Sequence, residues 1–302
     1  MSDAEDSGVA AKLFGGWTAL RGVRDDASDW IADLNLASHV QILERRGIWP
    51  GCATIGDPSS GKPFVSEIGD YRSLHFDWGC VQSGMSVANP LKLTLDYTKA
   101  MMGFLFFNPA PRFIEMIGLG GGSLAKFCHH VLPSADITVV ELDAEVIAMR
   151  NHFSVPAESE RFRIVCGDGA AYVRTSLIRP DVLLVDGFDA RGQPPQLCSP
   201  EFYAQCFERL APNGLLVVNL WGDDPGHFRH AALIKHIFSG KLVLVPSIGS
   251  ANQTVIARKG SDLSLTKTQM NQVTILFKQS CARFLPAIGK RIFRQLEIAS
   301  KH

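Results

Sequence analysis

The chain has 302 residues, 46% hydrophobic and 20% charged, enough for one large domain or one with a small companion. Its 30 Lys and Arg balance 30 Asp and Glu, so nothing global points to nucleic acid or to a membrane surface as a partner. Seven scattered cysteines with no C-x-x-C pair argue against a disulfide framework and against structural zinc, and no metal is expected.

Residues 1–37, with Trp17 and Trp30, read as a tail and a short helix. Their polar, acidic start lacks the basic-then-apolar order of a signal peptide. The most apolar stretch, 101–107, is too short to cross a bilayer, so a cytoplasmic protein is expected. Residues 38–90 read as a small β-rich domain. Within it, 57–63 is a loop by composition, and 64–68 and 72–76 flank Gly69-Asp70-Tyr71, a hairpin signal. Residues 91–107 read as a helix that opens the main domain, 91–260.

In that domain apolar runs alternate with helical patterns. The runs are 113–119, 137–142, 163–166, 182–185, 215–220, 242–245 and 254–257. The last two lie close together, so one can run antiparallel. The pattern predicts an α/β, Rossmann-like fold with a mostly parallel sheet, helices on both faces, and the N-terminal β unit beside it. Residues 261–302 read as a basic helical extension, with Lys267, Lys278, Arg283, Lys290, Arg291, Arg294 and Lys301 against Asp262 and Glu297. A packed helix with a solvated basic face is the plain reading; a surface for an acidic partner is the other.

The chemistry concentrates after the first of these runs. Gly118, Gly120, Gly121 and Gly122 form a turn through which a ligand can approach the backbone. Glu141 follows Gly120 by 21 residues, the place of an acid that holds both ribose hydroxyls. A dinucleotide loop, G-x-G-x-x-G, would need glycine where Ser123 stands. The loop G-x-G-x-G fits Gly118, Gly120 and Gly122. Asp168 and Gly169 end the third run, suited to an adenine amino group and ring nitrogen; Asp186 and Asp189 follow the fourth. Such a series of acids at strand ends favours a sulfonium nucleoside, S-adenosylmethionine or its decarboxylated form, over NAD. His129 with His130, the set His227, His230 and His236, and Cys198 with Cys206 read as surface or packing residues.

With these motifs in hand, the chain resembles the spermidine synthase (polyamine aminopropyltransferase) family, which has the class I methyltransferase fold, over roughly residues 60–260. The marks are the loop 118–123, Val140-Glu141-Leu142-Asp143, Gly167-Asp168-Gly169 and Asp186-x-x-Asp189. A Pro/Gly-rich gate at 190–197 follows, then Ser199-Pro200-Glu201-Phe202-Tyr203, similar to the family's L-x-S-x-x-F-Y. The resemblance implies that Glu141 holds the ribose, Asp168 and Gly169 the adenine, and that Asp186 lines the cofactor pocket. It implies Asp189 as the catalytic acid facing the attacking amine, with Gln82 and Tyr203 as substrate contacts. It further implies a small-molecule amine substrate and a homodimer.

Two places depart from the family. Its loop reads G-G-G-D-G-G, and that Asp grips the amino group of the transferred chain; here the place is Gly121. Its acidic D-E-x-x-Y-x-E segment is represented at 89–102 only by Asp96 and Tyr97. Three functions therefore stand. One is aminopropyl transfer from decarboxylated S-adenosylmethionine to an amine such as putrescine. The second is N-methyl transfer from S-adenosylmethionine, since G-L-G-G-G-S-L is similar to a branch with protein amine methyltransferases. The third is a binding protein that keeps the fold without turnover. Either transfer needs a neutral amine, and an amine of pKa about 10.4 costs roughly 4.6 kcal/mol to deprotonate at pH 7.

Overall fold

The computed structural model describes residues 53–77, 81–189, 192–222 and 226–299. The helix expected in 1–37, Cys52, Cys80 and the Asp223-Asp224-Pro225 segment lie outside the described residues.

Four short strands build an antiparallel sheet in sequence order: β1 (Ala53–Ile55), β2 (Phe64–Ile68), β3 (Tyr71–His75) and β4 (Val81–Ser86). The β2–β3 turn is tighter than the three residues expected, because Tyr71 already pairs with Ile68. Gly69 makes this possible with φ 58°, a left-handed value that costs glycine little. Asp70 secures the turn to the end of β4, accepting from the Ser86 hydroxyl and the Ala88 N–H, both at 2.6 Å. Leu74 pairs with Ser83 but His75 with Val81, so Gln82 is the extra residue of a β-bulge.

The second sheet has seven strands: β5 (Phe113–Ile117), β6 (Asp136–Glu141), β7 (Phe162–Cys166), β8 (Val182–Val185), β9 (Leu215–Leu220), β10 (Leu242–Pro246) and β11 (Gln253–Arg258). Their order is β10-β11-β9-β8-β5-β6-β7. β5 to β9 pair in parallel, and β11 runs antiparallel to both its neighbours. The antiparallel strand anticipated among the last two is thus β11. Side chains alternate in face along each strand. Val182 and Leu184 join one core cluster, Leu183 and Val185 the other, so both faces are covered as the unbroken apolar runs predict.

The helix expected over 91–107 is shorter. α1 spans Asp96–Met101 and tightens into a 3-10 turn over Met102–Phe106. Gly103 lies in that turn, where a Cβ would stand 2.9 Å from Ile292 Cδ1. The remaining helices are α2 (Ser123–Val131), α3 (Ala144–Ala148), α4 (Gly169–Thr175), α5 (Pro200–Arg209), α6 (His227–Ile237), α7 (Lys267–Leu276), α8 (Lys278–Cys281) and α9 (Leu285–Ala299). The basic extension packs through α9, which buries Leu285, Ile288 and Ile292. Its Arg291 pairs with buried Asp96 at 2.9 Å, and Asp96 also accepts from the Ile248 N–H at 2.7 Å. Asp96 therefore ties α1 to the C-terminal helix and is not among the cavity residues described below.

One buried acid sits in the central strand itself. Both Glu115 carboxylate oxygens accept from Arg209 Nη2 of α5, and the Tyr172 hydroxyl donates to it at 3.0 Å. Arg209 also donates to the Ile178 and Tyr172 carbonyls, each at 3.0 Å. Burial pushes the Glu115 carboxyl above its ordinary value, opposed by Arg209 and Tyr172. Replacing Arg209 with Met strands the carboxylate in the core. Urea unfolding should show a loss of about 3–5 kcal/mol, with partial recovery in the Glu115→Leu, Arg209→Met pair. A single variant within about 1 kcal/mol of the parent would contradict this assignment.

Candidate active site

β5 has β6 on one side and β8 on the other, so the chain departs in opposite directions from the sheet's middle. Such a switch point opens a crevice at the carboxyl ends of the strands. A cavity of about 400 Å³ lies there, within the range of ligand sites. Gly118, Gly120, Glu141, Asp168, Gly169, Asp186 and Asp189 all line it, and Gln82 lines it from the N-terminal sheet.

The glycine turn is shaped by close approach. Gly118 donates to the Val140 carbonyl at 2.8 Å and has φ 98°. A Cβ there would stand 2.3 Å from the Asp186 carbonyl oxygen. Gly122 is not among the lining residues; it is the N-cap of α2, with φ 66°. Glu141 braces the turn from β6. Its Oε2 accepts from the Leu119 N–H at 2.8 Å and its Oε1 from the Asp143 N–H at 3.0 Å. A carboxylate has about four acceptor positions, so two remain for a ligand's hydroxyls.

Asp168 caps α4 through Oδ1, which accepts from the Ala171 N–H at 2.7 Å. Asp186 accepts from Asn219 Nδ2 at 2.9 Å and from the Tyr97 hydroxyl. Asn219 in turn accepts from Asn252 Nδ2 at 3.0 Å, which fixes its amide orientation. Burial pushes the Asp186 carboxyl up to about 6, against the pull of those two donors. Asp189 is exposed at the mouth, where its backbone exchanges two hydrogen bonds with Gly192 at 2.9 and 3.2 Å. Beyond it, Pro194, Gln196 and Leu197 of the expected gate line the cavity, while residues 190 and 191 lie outside the described residues.

Tyr203 is placed elsewhere. It is fully buried in the core beside Phe202 and is not among the cavity residues. The Ser199-Pro200-Glu201-Phe202-Tyr203 segment works as a helix start: Ser199 Oγ accepts from the Phe202 N–H at 3.1 Å and Pro200 opens α5. Its two aromatic rings then fill the core, so the segment supports the gate rather than the ligand.

Sequence reasoning missed Ser83 and noted Tyr97 only in passing; both line the cavity. Strict alternation would put Gln82 and Ser83 on opposite faces of β4. The bulge at Gln82 lets both face the cavity, and a bulge leaves no mark in one sequence.

The charge of the lining is one-sided. Glu141, Asp143, Asp168, Asp186 and Asp189 contribute carboxylates, and among the described lining residues there is no Lys, Arg or His. That composition suits a cation and disfavours a pyrophosphate. It fits a sulfonium nucleoside, and no group of described residues is arranged to hold a metal.

Comparison with known proteins agrees with this chemistry. Residues 96–225 match the family described as the spermine/spermidine synthase domain. The polyamine aminopropyltransferase of Neisseria meningitidis serogroup A is 38% identical over 211 residues, 69% of this chain and 79% of that protein. Two solved structures show the fold. A spermidine synthase in complex with the transition state analogue AdoDATO superposes with a TM-score of 0.57 at 22% identity, covering 76% of this chain and 84% of that one. Human methyltransferase-like protein 13 in complex with SAH gives 0.56 at 21% identity, covering 62% and 92%. The chain belongs to the spermine/spermidine synthase family of polyamine aminopropyltransferases.

Proposed function

We propose that the cavity binds decarboxylated S-adenosylmethionine and directs its aminopropyl group to a small amine such as putrescine, with Asp189 accepting the amine's proton. The observation that carries this reading is the carboxylate-lined, cation-free cavity at the switch point of the sheet. The nucleoside supplies a carbon already activated by a sulfonium, so little is required of the protein at the leaving group.

The protein's task lies with the amine. Asp189 stands at the mouth, where an incoming ammonium meets a carboxylate before it reaches the interior. By holding the amine and accepting or relaying its proton as the carbon–nitrogen bond forms, that carboxylate acts as a general base at the point of attack. Asp186, held by Asn219 and Tyr97, balances the sulfonium deeper in the cavity. Glu141 takes the ribose hydroxyls, and Asp168 with Gly169 the adenine edge. Gln82 reaches the acceptor from the bulged strand. The reading also takes 38–90 and 91–260 as separate domains of a cytoplasmic homodimer, by analogy with the family. Among the described residues no helix is long and apolar enough to cross a membrane.

Asp189→Asn should lower kcat by about 10²- to 10⁴-fold while calorimetry finds cofactor affinity within about threefold. Unchanged turnover on every amine tried would remove Asp189 from the mechanism. A methylated rather than aminopropylated product, read by mass spectrometry, would favour the N-methyl reading instead.

Asp186 predicts a pH dependence of binding. A carboxyl raised to about 6 is ionised above that pH and neutral below it. Affinity for the cationic nucleoside should therefore hold at pH 7.5 and fall by up to about tenfold per unit below 6. Asp186→Asn should flatten the profile. A parent profile that is already flat between pH 7.5 and 5 would refute the assignment.

A further inference from the structure

Gly121, the position at which the family keeps an aspartate, is enclosed on two sides. A Cβ there would stand 2.7 Å from Ser83 Oγ and 2.9 Å from Phe153 Cδ1. Neither wall is loose. The Phe153 carbonyl accepts from the buried Lys126 ammonium at 2.7 Å, and the carbonyl of His152 accepts from Arg72 Nη1. Ser83 belongs to β4, whose Gly84 carbonyl accepts from the Ser123 hydroxyl at 3.4 Å. A side chain at 121 would have to displace the Ser83 hydroxyl and the Phe153 ring, and Ser83 stands beside the place it would fill.

Ser83 is 6% exposed, lines the cavity, and its hydroxyl has no hydrogen-bond partner among the described residues. Beside it begins α2, a nine-residue helix whose N-cap, Gly122, provides no side chain to the first N–H groups. Ser123, Leu124 and Ala125 of that first turn also line the cavity. A serine hydroxyl that opens onto the cavity and unfilled N–H groups at a helix start together suit a carboxylate oxygen. A carboxylate side chain at this point would do the reverse, attracting an ammonium and repelling a ligand carboxylate.

We propose that Ser83, opposite Gly121, makes the amino-acid end of the cavity a neutral subsite that admits the α-carboxylate, so that S-adenosylmethionine binds about as tightly as its decarboxylated form. Ser83 is thereby the residue that sets selectivity between the two. The inference rests on the reading of the cavity as a sulfonium-nucleoside site.

Calorimetry on the full chain with each form separates the two claims. A ratio of dissociation constants under about tenfold is expected for the parent. Ser83→Asp should weaken S-adenosylmethionine by more than about twentyfold and leave the decarboxylated form at least as tight. Ser83→Asn, of similar size and neutral, should keep the parent's ratio and shows that the site tolerates the volume; thermal melts of both variants confirm folding. A parent preference above about tenfold for the decarboxylated form would overturn the inference and leave the cavity reading intact. So would an unchanged ratio in folded Ser83→Asp; if that variant does not fold, the parent ratio alone decides. Failure of the parent to bind either form would overturn the cavity reading itself.

Discussion

The contact between Gly118 and the carbonyl of Asp186 governs this site. The segments leaving β5 and β8 pass so closely that no side chain fits between them. A glycine with φ 98° at the end of β5 is the local requirement. Its consequence is that the cofactor turn and the segment carrying Asp186 and Asp189 form one unit. Strand pairing extends the unit, since Ile117 pairs with Val185 and with Val140. The acids of three strand ends are thus placed by the sheet, with only Asp189 out on a connection at the mouth. Reaction in line demands alignment more than strong acid or base chemistry, and a site built on paired strands provides it.

Gathering five carboxylates in one cavity has an electrostatic cost, and the fold offsets it locally. Four of the carboxylates accept backbone or amide hydrogens, among them Glu141 from Leu119 and Asp143, Asp168 from Ala171 and Asp186 from Asn219. Asp143 likewise caps α3 through the Glu145 N–H at 2.8 Å. No formal cation stands among the described lining residues; Lys62, for one, meets Glu145 at 2.7 Å on an exposed face. Dipoles can stabilise a carboxylate without occupying the volume a cationic ligand needs. A lysine or arginine inside would compete with that ligand for the same oxygens.

The parallel sheet was legible because its strands read as largely apolar runs, and β5 to β8 each end in or lead into a glycine or an acid. The glycine turn and the series Glu141, Asp168, Asp186, Asp189 were legible for the same reason: they are local to strand ends. What escaped the sequence was tertiary. Glu115 reads as a flaw in an apolar strand until Arg209, 94 positions away, is seen to cover it. The close approach of α9 to Gly103, just past the end of α1, is another contact between distant segments. Tyr203 sits in a segment that looks like a ligand contact, yet its spacing from Ser199 serves a helix cap and a core ring. Ser83 was hidden because a bulge, which depends on pairing with β3, reversed the face that alternation assigns.

The N-terminal sheet therefore does more than cover the crevice. Through Gln82 and Ser83 it lines the cavity with consecutive residues, which an ideal strand cannot do. Through Ser83 it also occupies the space that a longer side chain in the cofactor turn would need. Positions 121 and 83 are neighbours in volume: a Cβ at 121 would stand 2.7 Å from the Ser83 hydroxyl, so a side chain in the turn would have to displace it. The large sheet places the acids at its strand ends, while the small one adds Gln82 and Ser83 to the same cavity.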